Sequence, residues 1–251
     1  MNTIEFDIIL PAFIAGLLVL TTHIPFGMRV LQRGVIFADL AVAQIAGLGV
    51  IIAGLLDLAD HPLLVQLVAV VSALCGAALL AWIEHKAADV KEAYIGLTFV
   101  LAASLGILLM SRDVHAGEHL HDLLAGQILW VSHTQLIVTA LLSSALLMIW
   151  KNYRRHLGQF GFYALFALAI TASVQLVGIY LVFASLIVPA LATYRHPKRR
   201  YLFAFAVGGT GYALGLLLSI LFDLPSGAAI VWSMAVAGAI VMMTTTTPQA
   251  S

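Results

Sequence analysis

The sequence predicts an all-α membrane protein, a polytopic transmembrane helical bundle with eight or nine membrane segments. Of its 251 residues, 62% are hydrophobic and only 10% are charged, whereas soluble domains carry about 25% charged residues. A soluble fold of this length cannot hide that much apolar surface. The apolar stretches also approach the roughly 20 residues that a helix needs to cross a bilayer, and they lack the alternating pattern of outer-membrane barrel strands.

The apolar segments follow one another along residues 1–251, which we interpret as a single transmembrane domain with a polar tail at 244–251. The first segment is expected to break near its end, at His23, Pro25 and Gly27. The stretch 160–194 is expected to form one full helix and a shorter one, bent at Gly178 and Pro189; the alternative is one long span. The predicted segments are residues 8–28, 35–56, 63–83, 93–110, 135–150, 160–194, 201–222 and 228–243.

Lysine and arginine predict which loops face the cytoplasm. They cluster at 29–33, 84–92, 151–156 and 195–200, whereas 57–62 and 223–227 are acidic and 111–133 is rich in histidine. The four basic loops are therefore expected inside, and the N-terminus and the regions 57–62, 111–133 and 223–227 are expected outside. The net charge is zero and no basic run is long enough to indicate nucleic-acid binding. The first segment lacks a basic leader and is interpreted as a retained span.

The external 111–133 loop contains side chains that bind metals. If this stretch is helical, His115, Glu118, His119 and Asp122 lie on one face, and His121 is adjacent. Imidazole together with carboxylate suits a borderline divalent cation such as zinc. The alternative is a solvated polar loop.

The second segment places an acid, Asp39, and an amide, Gln44, inside an apolar run. A charge within a membrane segment is costly, so Asp39 either lines a polar path or hydrogen-bonds another helix. Small residues allow helix backbones to approach closely. They surround Asp39 along this segment at Ala38, Ala41, Ala43, Ala46, Gly47, Gly49, Ala53 and Gly54.

Enzymatic chemistry has no candidate in the sequence, because no nucleophile lies in a pattern with a base. Ser185 is expected to hydrogen-bond its own helix backbone, and His23 is expected to pack near a helix end. Cys75 is the only cysteine. No phosphate-binding glycine motif is present, so any ATPase would be another chain.

Four stretches resemble the membrane permease subunits of metal-ion ATP-binding cassette importers, the zinc/manganese/iron permease family. They are residues 37–39, 92–96, 123–130 and 177–190. The last stretch contains Gly178 and Ser185 and ends in an apolar-apolar-Pro-Ala sequence. The His/Glu segment outside is similar to that of a variant group within the family. The resemblance implies a homodimer of permeases in the bacterial inner membrane, two cytosolic ATP-binding subunits, and a periplasmic or extracellular metal-binding protein.

The resemblance also implies roles for particular residues. The transported cation, zinc on this interpretation, would be received outside, and no cofactor would be permanently bound. Asp39 and Gln44 would belong to the translocation path. The basic cluster Arg195, Lys198, Arg199 and Arg200 would contact the ATPase, and other basic loop residues would contact membrane lipid.

Two departures from the family pattern keep alternatives open. Many members have histidine four residues after the Asp of the second segment, whereas this chain has Ala43, and Gln44 lies about 140° round the helix from Asp39. The loop after the fifth segment, 151–160, is short for a coupling helix that docks an ATPase. The alternatives are an ATPase-independent secondary cation carrier or a non-transporting membrane component of a metal-handling complex and, less strongly, a lipid or vitamin permease.

Overall fold

A computed structural model describes residues 3–58, 60–111, 128–153, 156–195 and 199–244. Within these ranges all regular structure is helical, which confirms the predicted fold class. The nine α-helices of the described ranges are α1 Thr3–Arg33, α2 Ala38–Leu55, α3 Pro62–Lys86, α4 Lys91–Met110, α5 His133–Tyr153, α6 Gly158–Val177, α7 Ile179–Ala192, α8 Arg200–Phe222 and α9 Ser226–Thr244, with a short 3-10 helix at Ile128–Trp130.

Eight of these helices are long and apolar enough to cross a membrane, judged by length and composition. The ninth, α7, has 14 residues and is about 21 Å long, shorter than the hydrocarbon core of about 30 Å. The prediction of eight or nine membrane segments is therefore confirmed in the described part of the chain.

The stretch 160–194 divides as predicted, into one full helix and one shorter helix. The break lies at Gly178, whose φ of +78° is in a region that other residues rarely adopt. The shorter helix α7 continues through Pro189 and ends at Ala192. At its end, the Thr193 hydroxyl donates to the Pro189 carbonyl at 2.8 Å.

The expected break in the first segment is wrong, because α1 continues through Pro25 to Arg33. A proline within a membrane helix is tolerated where neighbouring protein covers the backbone. Around Pro25, the side chains of Ile24 and Phe26 are buried, and Gly27 contacts the Leu186 carbonyl of α7 directly. Helix packing therefore keeps α1 continuous where the local sequence predicts an interruption.

The described helices fall into two compact units. One unit contains α1, α7, α8 and α9, the other contains α2, α3, α4 and most of α6, and α5 is divided between them. In the first unit, α1 packs closely against α8, since a Cβ at Gly208 would lie 2.6 Å from Leu20 Cδ2.

In the second unit, α2 packs against α3 through small residues. A Cβ at Gly49 would lie 2.6 Å from Ser72 Oγ, and one at Gly76 would lie 2.8 Å from Ile45 Cδ1. The small-residue face of α2 is thus used for close helix packing, as the sequence predicts. Its buried members include Ala38, Ala41, Ala43, Ala46, Gly47, Gly49 and Ala53.

Candidate functional site

Asp39 lies in the first turn of α2, one residue after the helix begins at Ala38. Its side chain is 0% exposed, although it is an acid in a segment that spans the membrane. The unpaired N–H groups of a helix start carry a partial positive charge that favours a carboxylate. The helix terminus therefore stabilises the acid at this position.

Neither carboxylate oxygen of Asp39 has a hydrogen-bond partner among the described residues. An interhelical hydrogen bond, one of the two sequence interpretations, is thus not observed within the part of the chain that the structure describes. A buried and unpartnered carboxylate instead needs a proton or a cation.

Glu92, in the first turn of α4, lies beside the same helix terminus. Its Oε1 accepts a hydrogen bond from the Phe37 N–H at 3.0 Å, so α4 supplies the cap of α2. Its Oε2 is buried and accepts no hydrogen bond from the described residues. Phe37 is two residues before Asp39, so this bond brings Glu92 near the turn that carries Asp39, and two carboxylates repel each other.

Sequence reasoning missed Glu92 as a site residue and placed it only in a stretch of family resemblance. The signal was present in the charge pattern, because segments two and four both begin after basic loops. Positive loops on the same side of the membrane predict that Asp39 and Glu92 lie at the same end of their helices. The tertiary structure adds the packing of α4 against the start of α2, which brings Glu92 to the Phe37 N–H.

Gln44 is partly buried in α2 and lies five residues after Asp39, about 140° round the helix. Ala43 is the residue one turn above Asp39 on the same face, and it is 1% exposed. The Asp39 face therefore has a methyl group where many family members would place an imidazole. The place of Gln44 in the path stays a prediction.

The predicted external metal ligands lie outside the described residues. The described part of the chain contains no group of three or more His, Cys, Asp or Glu residues that could hold a metal ion. The ligands that stay predictions are His115, Glu118, His119, His121 and Asp122.

The four basic residues of the predicted ATPase contact differ in their surroundings. Arg195 and Arg199 are exposed, whereas Lys198 lies outside the described residues. Arg200 donates from Nη2 to the Ala190 carbonyl at 3.3 Å, and its guanidinium lies 5.6 Å from the centre of the Tyr194 ring. Arg200 therefore connects the end of α7 to the start of α8, which leaves Arg195 and Arg199 as the accessible arginines.

The sequence predicts that Ser185 hydrogen-bonds its own helix backbone, and this prediction is wrong. Its hydroxyl lies 2.9 Å from the Tyr212 hydroxyl, and both side chains are fully buried. The Tyr212 ring in turn packs directly on Gly16 of α1. A polar contact between α7 and α8 thus satisfies both hydroxyl groups, which costs less than leaving either one alone in an apolar core.

His23 lies within α1 rather than near its end, and it is fully buried. Its Nδ1 lies 2.9 Å from the Val19 carbonyl, which indicates that Nδ1 carries the hydrogen. Its Nε2 has no partner among the described residues. This histidine is a packed core residue of the unit that contains α1.

The short connection after the fifth predicted segment is confirmed, because α5 ends at Tyr153 and α6 begins at Gly158. Aromatic packing holds the two helices near this connection. The Trp150 ring of α5 and the Phe162 ring of α6 are 5.8 Å apart. Four residues leave no room for a coupling helix there.

Comparison with curated proteins finds relatives that are named for metal transport. The chain is 28% identical over 163 residues to an iron transport system membrane protein of Haemophilus influenzae, across 56% of this chain and 60% of that protein. It is 26% identical over 227 residues to the manganese transport system membrane protein MntC of Halalkalibacterium halodurans, across 82% and 76%. It is 29% identical over 163 residues to the chelated iron transport system membrane protein YfeD of Yersinia pestis, across 56% and 54%. The matched region thus spans less than two thirds of the Haemophilus and Yersinia proteins.

Two solved structures share the fold. A chain of PsaBC from Streptococcus pneumoniae in complex with Fab superposes with a TM-score of 0.75 at 23% identity, across 96% of this chain and 95% of that one. A structure described as an inward-facing metal-chelate type ABC transporter superposes with a TM-score of 0.67 at 17% identity, across 94% of this chain and 85% of that one.

The family comparison extends over nearly the whole chain. The model of the ABC 3 transport family matches residues 5–159 and 151–245, and these matches cover all or nearly all of each helix described above. With its membrane-spanning helices and the resemblance of its second, fourth and seventh helices to metal-ion permeases, this chain belongs to the ABC 3 transport family, whose members are membrane permeases.

Proposed function

We propose that this chain is the permease subunit of an ATP-driven importer of a divalent transition-metal ion. It forms the translocation path, and separate cytosolic ATP-binding subunits hydrolyse ATP. The observation that carries the proposal is the fully buried, unpartnered carboxylate of Asp39 in a membrane-spanning helix, because an unpaired acid there favours a cation. Membership of the family does not favour the alternative of an ATPase-independent carrier.

The proposed assembly is a homodimer of permeases in the bacterial inner membrane. An extracytoplasmic metal-binding protein delivers the ion, and the ATP-binding subunits dock on the cytosolic side. The exposed Arg195 and Arg199, together with Lys198, support docking at the loop between α7 and α8. Alternating access then follows from rigid-body movement of packed helices.

The ion is proposed to pass from the external His/Glu stretch to Asp39. The residues of that stretch, 115–122, support zinc, since imidazole and carboxylate both bind it. The names of the relatives support iron or manganese. Zinc, manganese and iron(II) are therefore the ions to compare.

The test is ATP-dependent uptake by the chain reconstituted with its ATPase in sealed vesicles. Uptake of Zn²⁺, Mn²⁺ and Fe²⁺ is measured with and without ATP. Asp39→Asn keeps the size of the side chain and removes its charge. Loss of a group that only supports a metal ligand typically costs about 10–100-fold in metal affinity or activity. We expect uptake by Asp39→Asn to fall by at least that much.

The matched control is Asp60→Asn, which removes an exposed acid from the turn between α2 and α3 and should leave uptake unchanged. Uptake of any of the three ions that needs no ATP would contradict the proposed energy source. Full uptake by Asp39→Asn would remove Asp39 from the path.

A further inference from the structure

We propose that Glu92 is the second carboxylate of the Asp39 site, and that the two acids form an all-oxygen site for a divalent cation at the starts of α2 and α4. This inference rests on the proposed function, because it assigns a second ligand to the same path. It also names the class of ion that this part of the path accepts.

Three carboxylate oxygens at this point are buried and accept no hydrogen bond from the described residues. They are Oδ1 and Oδ2 of Asp39 and Oε2 of Glu92. The fourth oxygen, Glu92 Oε1, accepts the Phe37 N–H at 3.0 Å. This bond holds Glu92 against the first turn of α2, where Asp39 lies. The packing of α4 on α2 therefore places the free oxygen of Glu92 at the same helix start as the two free oxygens of Asp39.

Asp39 is fully buried, and Glu92 is half-buried with its Oε2 enclosed. A second negative charge beside a buried carboxylate is costly unless a positive charge compensates it. The partial charge of the α2 terminus, about +0.5, compensates less than one of the two acids. No described side chain donates a hydrogen bond to the three free oxygens. A divalent cation neutralises both acids at once and supplies the partner that each oxygen lacks.

The donor atoms indicate which cations fit. Carboxylate and water oxygens suit Mg²⁺, Ca²⁺ and Mn²⁺, whereas imidazole suits Zn²⁺, Cu²⁺ and Ni²⁺. Ala43, one turn above Asp39 on the same buried face, brings no imidazole. Among transported transition metals the site therefore matches Mn²⁺ best. Three protein oxygens leave the remaining positions of the ion to water, which suits a site that must release its ion.

The position of the pair indicates the step in which it acts. The helices α2 and α4 both begin directly after basic loops, at 29–33 and 84–92, which places their starts on the cytosolic side. An ion bound by Asp39 and Glu92 is thus at the cytosolic end of the path. We assign the pair to ion release, with Glu92 as a residue that determines specificity.

The experiment separates a cation ligand from a helix cap by using Glu92→Gln. Glutamine keeps an Oε1 that can accept the Phe37 N–H, so the cap is retained, but the charge is lost. Binding of Mn²⁺ alone to the purified full chain in lipid nanodiscs is measured by electron paramagnetic resonance. The background chain carries His115→Ala, Glu118→Gln, His119→Ala, His121→Ala and Asp122→Asn, which removes all the other predicted ligands.

The parent chain for these measurements is this background chain, with Asp39 and Glu92 intact. We expect it to bind one Mn²⁺ without the ¹⁴N couplings that histidine ligands produce. Glu92→Gln and Asp39→Asn should each weaken binding by about tenfold or more. The control Asp89→Asn removes an exposed acid from the same connection between α3 and α4 and should bind as the parent does.

Two results would overturn the inference. Mn²⁺ affinity unchanged in Glu92→Gln means that Glu92 is only a cap, and no Mn²⁺ binding by the parent means that the acids hold a proton instead. This measurement needs no ATPase, so a failure of ATP-driven uptake leaves it intact. Conversely, ATP-driven uptake with unchanged binding by Glu92→Gln overturns the inference and leaves the proposed function standing.

Discussion

At the residue scale, the site depends on two acids that the sequence separates by more than fifty positions. Asp39 stands out in the sequence because it is an acid within an apolar run of small residues. Glu92 does not, because it ends a charged loop in which an acid is unremarkable. The Phe37 N–H donates to Glu92, which is 55 residues away in the sequence. This hydrogen bond brings Glu92 to the start of the helix that carries Asp39.

Ala43 offers a test of metal selectivity at the same scale. Ala43→His places an imidazole one turn from Asp39 on the same face. Since imidazole suits zinc and carboxylate oxygen suits manganese, we expect the ratio of Zn²⁺ to Mn²⁺ affinity to rise by about tenfold. Competition between the two ions for the nanodisc-embedded chain measures that ratio.

The control for this prediction is Gln44→His, which introduces the same ring about 140° away. An equal rise of the ratio in both variants would show that the new imidazole acts without Asp39. Folding of each variant is checked by its thermal transition, because Ala43 is almost fully buried.

At the element scale, the continuity of α1 is the main correction to the sequence interpretation. Local rules place a break at Pro25, since proline removes a donor and disfavours the preceding residue's helical conformation. Tertiary packing overrides them, because Gly27 lets the α7 backbone approach α1 at Leu186. The break at Gly178 is predictable because it depends on one residue with a positive φ.

Gly27→Ala tests whether this contact holds α1 in place. The added methyl group would meet the Leu186 carbonyl, which belongs to a helix backbone and cannot rotate away. We expect the free energy of unfolding in detergent or bicelles to fall by about 1–3 kcal/mol, the usual cost of overpacking.

Gly209→Ala is the matched control in the same unit, because the nearest atom to its added Cβ would be Leu17 Cδ2 at 3.9 Å. That distance is an ordinary contact, and alanine favours the helix over glycine. Gly209→Ala should therefore leave stability unchanged or raise it. A Gly27→Ala chain as stable as the parent would refute the packing explanation for α1.

At the scale of the whole molecule, the connections between helices determine where a partner can dock. The connection from α5 to α6 is too short for a coupling helix. The connection from α7 to α8 carries the strongest basic cluster and two exposed arginines, Arg195 and Arg199. The contacts of Arg200 with the Ala190 carbonyl and the Tyr194 ring connect the ends of these two helices.

A docking prediction follows for the α7–α8 connection. The double change Arg195→Ala and Arg199→Ala should reduce co-purification of the ATP-binding subunit by about fivefold or more, since charge at an interface sets association. The permease itself should still fold, because both side chains are exposed. Retention is measured on an affinity resin at matched expression levels.

The control for docking is Lys86→Ala, an exposed basic residue at the end of α3. If Lys86→Ala loses the ATPase as strongly as the arginine variant does, the contact is a diffuse charge effect. If neither variant loses it, docking does not use the α7–α8 connection.

The fold class, the positions of the membrane segments and a candidate break at Gly178 can all be read from the amino-acid sequence. These properties are local, because apolar length decides whether a helix spans the membrane and one glycine allows a positive φ. The sequence also identified the family resemblance and Asp39. Three other features come from helix packing: α1 continues through Pro25, Ser185 meets Tyr212, and Glu92 reaches the start of α2, where Asp39 lies. Those contacts depend on which helix faces pack together, and packing joins residues that no local pattern relates.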